Sequence, residues 1–379
     1  MKSLKWSQVN AWRLSRHFLS PRLECSRFIE AAVAVCGFQA QVMSAAEMAL
    51  WARTDGLTLE QVRSALWQAR SLVKTWAMRG TLHLLPATDL PLYVAARSVH
   101  EARNWLKYFT FFGMTPEQYE KVIIAIPAVL QDQPLTRQQL AAAVARYLGM
   151  PELGEFLQAS TWGSLWKPSA WKGDLCFGPS RGTNVTFVNP RHWLDDWHPV
   201  EPYPAVQEIT RRYLRAYGPA TPKEFALWWG IGVLPAREVF HSLEAELEPV
   251  EVEGWQALAL KSELDSIRKA ELRGSVNLLP FFDAYVMGIG RGRDIEPLLP
   301  QAYQKQVYRP QGWVSAVVLV DGFMKGMWEY SPRGSQTIIK VDMFSKPSAP
   351  IRRGIEAEAE RLGVFLKKSI ALEIQSRQG

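Results

Sequence analysis

The sequence is poor in the residues that bind metal ions and form disulfide bonds. Only three cysteines and six histidines occur among 379 residues, and none is spaced like the ligands of a zinc site. The three separated cysteines (Cys25, Cys36 and Cys176) indicate reduced thiols rather than a disulfide framework. These shortages predict a protein that holds no metal ion and no cofactor.

Long apolar runs are also missing. No stretch reaches the roughly 20 residues that a membrane-spanning helix requires, and no apolar signal-peptide core follows the N-terminal residues 1–6. Hydrophobic residues make up 47% of the chain and charged residues 21%, as in ordinary globular proteins. We therefore expect a cytoplasmic protein that does not contact a membrane.

The net positive charge of the whole chain comes from its first 110 residues. Residues 1–110 contain 14 Lys and Arg against 7 Asp and Glu, whereas residues 111–379 contain 30 of each. Within the remainder, residues 195–253 hold 5 bases and 11 acids, and residues 285–353 hold 10 bases and 5 acids. Two interpretations have equal weight: an anionic partner contacts the first and last parts, or the charge is ordinary surface scatter.

One pattern occurs three times along the chain. A threonine suited to the N-cap of a helix is followed by two helical stretches and a pair of strands. The three threonines are Thr58, Thr136 and Thr221, so they are 78 and 85 residues apart. In the first copy we expect the second helix to end at Arg79-Gly80, where the hairpin would begin. Helix-turn-helix followed by a hairpin predicts three winged-helix domains.

After residue 275 the pattern becomes rich in strands. Asp321-Gly322 between two apolar runs predicts a hairpin, and residues 355–368 predict a closing amphipathic helix. Because 379 residues exceed one ordinary core, we predict an α+β fold of three tandem winged-helix domains with a C-terminal β-barrel. The predicted boundaries are 1–110, 111–200, 201–274 and 275–379.

Two glutamines, Gln39 and Gln41, flank the small residue Ala40 between an apolar run and a helical stretch. In an extended backbone, residues two apart point the same way, so both amides would converge on one spot. Paired amides can hold a water or a polar ligand, but they cannot act as a strong base. The alternative interpretation is structural, with both amides capping backbone groups near a helix start.

The run Arg79-Gly80-Thr81-Leu82-His83 is a candidate for contact with phosphate. Arg79 and His83 can donate hydrogen bonds to phosphate, and Gly80 would let the backbone approach a ligand closely. The alternative is a C-capping glycine followed by an ordinary strand. His83 is also the one titrating side chain expected near the two glutamines.

Two further basic segments are candidates for the same contact. Arg181 lies in the turn of a predicted hairpin, where it would act as a wing or form an ordinary basic turn. The glycine-rich segment 285–294 carries Arg291 and Arg293, but it lacks the order of a P-loop or dinucleotide fingerprint. It predicts either a loop that contacts nucleic acid or a solvated turn.

Taken in order, these motifs resemble the AlkZ/YcaQ-type DNA glycosylases. The resemblance runs over nearly the whole chain and implies tandem winged-helix modules and a C-terminal β-barrel around duplex DNA. It also adds Arg53 to the candidates for DNA contact. The matching segments are residues 37–41, 49–53, 79–85, 278–285 and 319–322.

The family's catalytic element is a glutamine, an apolar residue and then aspartate or glutamine. Gln39 and Gln41 match the glutamine–glutamine version, and no carboxylate stands where the aspartate version has one. The resemblance implies removal of alkylated bases, including N7-alkylpurines, and for some members the unhooking of interstrand crosslinks. Gln39 and Gln41 would orient the attacking water, while Arg79 and His83 would grip sugar or phosphate.

The expected partner is duplex DNA with alkylated bases, bound by a nucleoid-associated monomer. We expect a monofunctional enzyme, because the lysines nearest in sequence, Lys5 and Lys74, carry no motif for a lyase amine. The rival hypothesis is a non-enzymatic winged-helix regulator, which usually binds as a dimer to paired half-sites. A weaker third hypothesis is an RNA-acting protein. The acidic third copy is expected to serve mainly as scaffold, because surplus acid suits phosphate contact poorly.

Overall fold

The structure is a computed structural model that describes residues 2–100, 113–131, 133–159, 163–289 and 297–377. The chain divides into two compact units. Unit 1 comprises Met1–Arg63 and Thr210–Gly379, and unit 2 comprises Ser64–Ile209. The four-segment division made from the sequence remains a prediction. Of the helices in the described ranges, none is long and apolar enough to cross a membrane.

The described helices, numbered in chain order, are mostly short. They are α1 (Trp6–Arg16), α2 (Phe28–Ala34), α3 (Met43–Trp51), α4 (Leu59–Trp67), α5 (Leu90–Ser98), α6 (Pro116–Val129), α7 (Arg137–Leu148), α8 (Glu152–Ala159), α9 (Lys167–Trp171), α10 (Pro190–Trp193), α11 (Pro202–Tyr217), α12 (Pro222–Trp229), α13 (Val233–Ser242), α14 (Leu264–Lys269), α15 (Ala284–Ile289), α16 (Gln301–Val307) and α17 (Ala349–Leu366).

The described strands are numbered in the same way. They are β1 (Lys2–Leu4), β2 (Leu23–Glu24), β3 (Phe38–Gln39), β4 (Thr54–Asp55), β5 (Leu72–Trp76), β6 (Leu82–Pro86), β7 (Leu135–Thr136), β8 (Cys176–Arg181), β9 (Asn184–Val188), β10 (Leu247–Val252), β11 (Trp255–Leu260), β12 (Val276–Leu279), β13 (Val317–Val320), β14 (Phe323–Arg333), β15 (Gln336–Met343) and β16 (Ser369–Ser376).

Unit 1 contains two main sheets. In the first, β1 runs parallel to β10, and β10 forms an antiparallel hairpin with β11. In the second, the strand order is β12-β13-β14-β15-β16, antiparallel throughout except for the parallel pair β15–β16. A parallel pair needs a crossover connection, and α17 supplies it between β15 and β16.

No closed C-terminal β-barrel is found among the described residues, where the second sheet of unit 1 is open. There β12 pairs with β13 and β16 with β15, and no pairing joins β12 to β16. The helix α17 packs against both β12 and β16. A Cβ on Gly354 would lie 2.6 Å from a methyl of Val276, and one on Gly363 would lie 2.6 Å from Ile370. The two glycines therefore let this helix cover the apolar strands, so closure of the sheet is not needed to bury them.

Unit 2 is built around an aromatic core. It holds the hairpin β5–β6 and the sheet β7-β9-β8. The ring centroids of Trp76 and Phe177 are 4.8 Å apart, those of Phe177 and Phe187 are 5.1 Å apart, and those of Trp166 and Phe187 are 5.9 Å apart. Aromatic pairs at this separation add to the stabilisation from apolar burial. Because Trp76 lies in β5, Phe177 in β8 and Phe187 in β9, the two sheets of unit 2 share one core.

The three threonine caps predicted from the sequence are confirmed. Thr58, Thr136 and Thr221 each form a reciprocal capping box with the residue three positions on. The partners are Gln61, Gln139 and Glu224.

The second helix predicted after Thr58 is wrong. Arg70 adopts a left-handed backbone with φ of 51°, which ends the helical path after α4. The following residues, Leu72–Trp76, include β-branched Val73 and Thr75 and form the strand β5, as β-branched side chains favour. Arg79-Gly80 therefore lies in the turn between β5 and β6 rather than at a helix end.

Candidate functional site

The two glutamines lie where β3 ends and shortly before α3 begins in unit 1, and they differ in exposure. Gln39 is the last residue of β3 and is only 8% exposed. Ala40 is fully buried, whereas Gln41 is exposed and lies in a bend. The extended backbone predicted for the motif therefore ends before Gln41. Gln39 is thus a buried residue of the unit, and Gln41 is an exposed one.

A tight turn before β3 fixes the start of the motif. Two backbone hydrogen bonds close the end of α2. The Val35 amide donates to the Ala31 carbonyl at 3.2 Å, and the Gly37 amide donates to the Ala32 carbonyl at 2.8 Å. Cys36 and Gly37 then adopt left-handed φ values of 60° and 89°. Such backbone costs an L-residue roughly 1–2 kcal/mol, so the surrounding packing must impose it.

A fully buried ion pair lies behind the motif. Arg53 donates to both carboxylate oxygens of Asp283, at 2.7 and 2.8 Å, and both side chains are 0% exposed. The same guanidinium donates to the Ala49 carbonyl in α3 at 2.8 Å and lies 5.1 Å from the ring centroid of Phe38 in β3. One cation thus connects the elements on either side of the glutamines.

The predicted contact of Arg53 with DNA does not fit this position. A guanidinium that is buried and bound in bidentate fashion has no exposed face for a phosphate. The structure instead gives Arg53 a supporting role, because it fixes the end of α3 and the ring before Gln39.

Three residues that the sequence did not single out lie beside the motif. Asp283 pairs with Arg53, the hydroxyl of Tyr217 donates to the Val35 carbonyl at 2.7 Å, and the hydroxyl of Tyr330 lies 3.4 Å from that of Ser44. These contacts join residues 182 to 286 positions apart. No local pattern signals them, although Asp283 stands within a segment that the family resemblance quoted.

Arg79 and His83 are in contact in unit 2. Arg79 and Gly80, in the turn between β5 and β6, both have left-handed φ values, 57° and 67°. Nη2 of Arg79 lies 3.4 Å from Nε2 of His83, and Nδ1 of His83 lies 2.9 Å from the Thr81 carbonyl. A Cβ on Gly80 would meet the Trp171 ring at 3.3 Å, so glycine suits both the turn and its packing.

His83 is a neutral, buried imidazole. Burial, the largest cause, and the nearby Arg79 charge together lower the pKa of His83 from 6.5 to about 3, and the hydrogen bond with the Thr81 carbonyl offsets part of that effect. These partners assign the tautomer: Nδ1–H donates to the Thr81 carbonyl, and Nε2 accepts from the Arg79 guanidinium. His83 therefore orients Arg79 and supplies no positive charge of its own.

Acid is expected to destabilise unit 2 through His83. The unfolded chain binds a proton near pH 6.5 while the folded unit does not, so the stability is complete above pH 6.5 and falls between pH 6.5 and about 3. Between pH 7 and pH 5 the loss should be about 2 kcal/mol. Urea unfolding of the wild type and His83→Gln at both pH values measures it. The same pH dependence in both proteins would contradict the assignment.

Three basic residues predicted to contact DNA remain: Arg181, Arg291 and Arg293. Arg181, at the end of β8, is exposed and donates to the Pro134 carbonyl at 2.8 Å and to Gln139 at 3.3 Å. This arginine therefore fixes the hairpin β8–β9 against the start of α7. Arg291 and Arg293 lie outside the described residues.

No obvious metal centre occurs in the described ranges. There, no group of three or more His, Cys, Asp or Glu side chains is arranged to hold a metal ion.

Comparison with known proteins identifies the family. The sequence profile described as DNA glycosylase AlkZ-like matches residues 33–365. A relative, the interstrand DNA cross-link repair glycosylase of Streptomyces sahachiroi, is 35% identical over 331 residues, which is 86% of this chain and 87% of the relative. The solved Streptomyces sahachiroi DNA glycosylase AlkZ superimposes with a TM-score of 0.85 at 32% identity, covering 99% of this chain and 100% of that chain. The resemblance noted from the motifs is thus confirmed, and the chain belongs to the AlkZ-like DNA glycosylase family, a family of N-glycosyl hydrolases.

Proposed function

We propose that this protein excises N7-alkylpurines from duplex DNA, using a water held by Gln39 and Gln41. The observation that carries the proposal is the position of the glutamine pair. It lies within the segment matched by the family profile, and its neighbours β3 and α3 are both in contact with the buried Arg53–Asp283 pair. A motif that is held in this way can position a water before the lesion arrives.

The proposed chemistry needs no strong acid or base in the motif. Alkylation at N7 gives guanine a positive charge, so the base leaves readily. As the bond between C1′ and N9 breaks, the base takes both bonding electrons and becomes neutral. The water oxygen then bonds to C1′ and releases its proton to solvent. The amide oxygens of Gln39 and Gln41 orient the water and present partial negative charge to the sugar cation.

The same chemistry would unhook a crosslink in which both tethered bases are N7-alkylated purines. Each such base carries the leaving-group charge of a simple adduct, so hydrolysis of one glycosidic bond would free one strand. The relative named an interstrand DNA cross-link repair glycosylase supports extending the proposal to this substrate.

Winged-helix modules would supply the DNA contacts of the proposed enzyme. In unit 2, α7 and α8 precede the hairpin β8–β9, and β7 pairs with β9. In unit 1, α12 and α13 precede the hairpin β10–β11, and Ala220 bridges to Leu258 in β11; this acid-rich copy is proposed to serve as scaffold and not to contact phosphate. Arg79 and Arg181, each at a hairpin turn, are the proposed phosphate contacts. We infer that a monomer binds one lesion, unlike a regulator that needs paired half-sites.

The direct test is incubation of the purified protein with a duplex that carries a single N7-methylguanine. Release of free N7-methylguanine, with strand cleavage only after alkali, is the result expected of a monofunctional glycosylase. A duplex with guanine at the same place is the matched control and should remain intact. Tight binding of the damaged duplex without base release would overturn the proposal and favour a non-enzymatic DNA-binding protein.

A further inference from the structure

A groove of about 820 Å³ lies on the C-terminal part of unit 1. We call it the C-terminal groove. One wall is formed by α16 and the turn that follows it, with Lys305 and Arg309. The other is formed by β14, β15 and the end of β16, with Lys340 and Arg377. None of these cations is part of the glutamine motif or of the hairpin turns discussed above.

The charges of the two walls are balanced differently. On the strand wall, Arg377 donates to Asp342 at 2.6 and 2.9 Å. Lys340 lies opposite Glu329 in the ladder and 3.9 Å from Glu373. On the helix wall, no carboxylate in the described ranges pairs with Lys305 or Arg309, and both residues are exposed. The net positive charge of the groove therefore lies on the helix wall.

The turn that carries Arg309 is stiff. The Arg309 amide donates to the Trp313 carbonyl at 2.9 Å, and Gln311 and Gly312 have left-handed φ values of 61° and 79°. The Trp313 ring lies 5.5 Å from that of Phe281, which also lines the groove. The backbone beneath Arg309 is thus held in place, which reduces the conformational entropy lost when the guanidinium binds a ligand.

We propose that the C-terminal groove binds the phosphodiester backbone of duplex DNA. The proposal rests on the proposed function only in taking DNA as the partner. Exposed cations without carboxylate partners suit a repeated phosphate better than one small anion, which would need a buried counter-charge. Residues 297–353, with 8 bases and 3 acids, have a charge of the same sign as these cations.

The salt dependence of binding tests the proposal directly. Affinity for an undamaged duplex is measured at several salt concentrations for the wild type and for Lys305→Gln/Arg309→Gln. Each phosphate contact releases counterions, so the slope of log affinity against log salt should fall by about 1.8 in the variant. The conservative Lys305→Arg/Arg309→Lys variant should retain the wild-type slope, because it keeps both charges.

The matched control removes two charges elsewhere in unit 1. Arg211 already pairs with Glu246 at 2.8 Å, and Arg237 is exposed on α13 in the acid-rich segment. Arg211→Gln/Arg237→Gln should leave the slope unchanged.

Three outcomes would overturn the groove proposal. The first is an unchanged slope in the groove variant, and the second is an equal loss in the control. The third is a slope change seen with duplex RNA but not with duplex DNA. If the wild type released no N7-methylguanine but the groove variant still showed the smaller salt slope, the result would contradict the proposed function and support the groove proposal.

Discussion

Replacing Gln41 with alanine is expected to slow single-turnover excision of N7-methylguanine by about 100-fold or more. In the proposed mechanism, the variant loses the amide oxygen that would orient the water and face the sugar cation. Because Gln41 is exposed, truncation of its side chain leaves no cavity in the core. Gln39→Ala should give a comparable loss of rate, together with a small loss of stability because Gln39 is buried.

The control is another glutamine of the same unit. Gln256 is exposed on β11, so Gln256→Ala should excise at the wild-type rate. Affinity for the damaged duplex should change little in Gln41→Ala, because the lost contact acts mainly on the transition state. If Gln41→Ala excised as fast as Gln256→Ala, the water would have to be held by other groups and the assignment would fail.

Replacing Asp283 with alanine is expected to lower the free energy of unfolding of unit 1 by about 3–5 kcal/mol. The change leaves the Arg53 guanidinium charged, buried and without its carboxylate. It also removes the acceptor for the Tyr285 amide, which donates to Asp283 at 2.9 Å. Urea unfolding followed by tryptophan fluorescence measures the loss. Excision should fall as well, since β3 and α3 lose a shared anchor.

An exposed ion pair provides the comparison for Asp283. Glu30 pairs with Arg27 at 2.6 Å, and both side chains are about half exposed, 48% and 57%. Glu30→Ala should therefore cost no more than about 1 kcal/mol. In the double variant Arg53→Met/Asp283→Leu, apolar packing replaces the buried pair and should recover much of the loss. An Asp283→Ala variant as stable as Glu30→Ala would show that the buried pair contributes little.

Local features of the fold could be predicted from the sequence, because they depend on a few neighbouring residues. The three threonine caps need only a partner three positions on. The hairpin at Asp321-Gly322 needs two residues with positive φ, and they adopt 49° and 81°. The helix predicted between α4 and β6 is wrong because that segment contains Val73 and Thr75, whose β-branched side chains prefer strands.

Features that join distant segments could not be read from the sequence. The open sheet depends on β16, which pairs in parallel with β15 only because α17 returns the chain. The candidate site shows the same difference between local and long-range features. Gln39 and Gln41 were found as a local pair, whereas the Arg53–Asp283 contact spans 230 positions. The family resemblance suggested Arg53 for DNA contact, and its burial is not visible in a short motif.

The interval of 230 residues between Arg53 and Asp283 has a consequence for the protein during its own synthesis. At about 5–20 residues per second, Asp283 is added roughly 10–50 s after Arg53. The glutamine pair therefore leaves the ribosome long before its supporting carboxylate exists. A nascent chain halted before residue 283 would carry the motif without its anchor, so the full support of the proposed site is assembled only after residue 283 has been added.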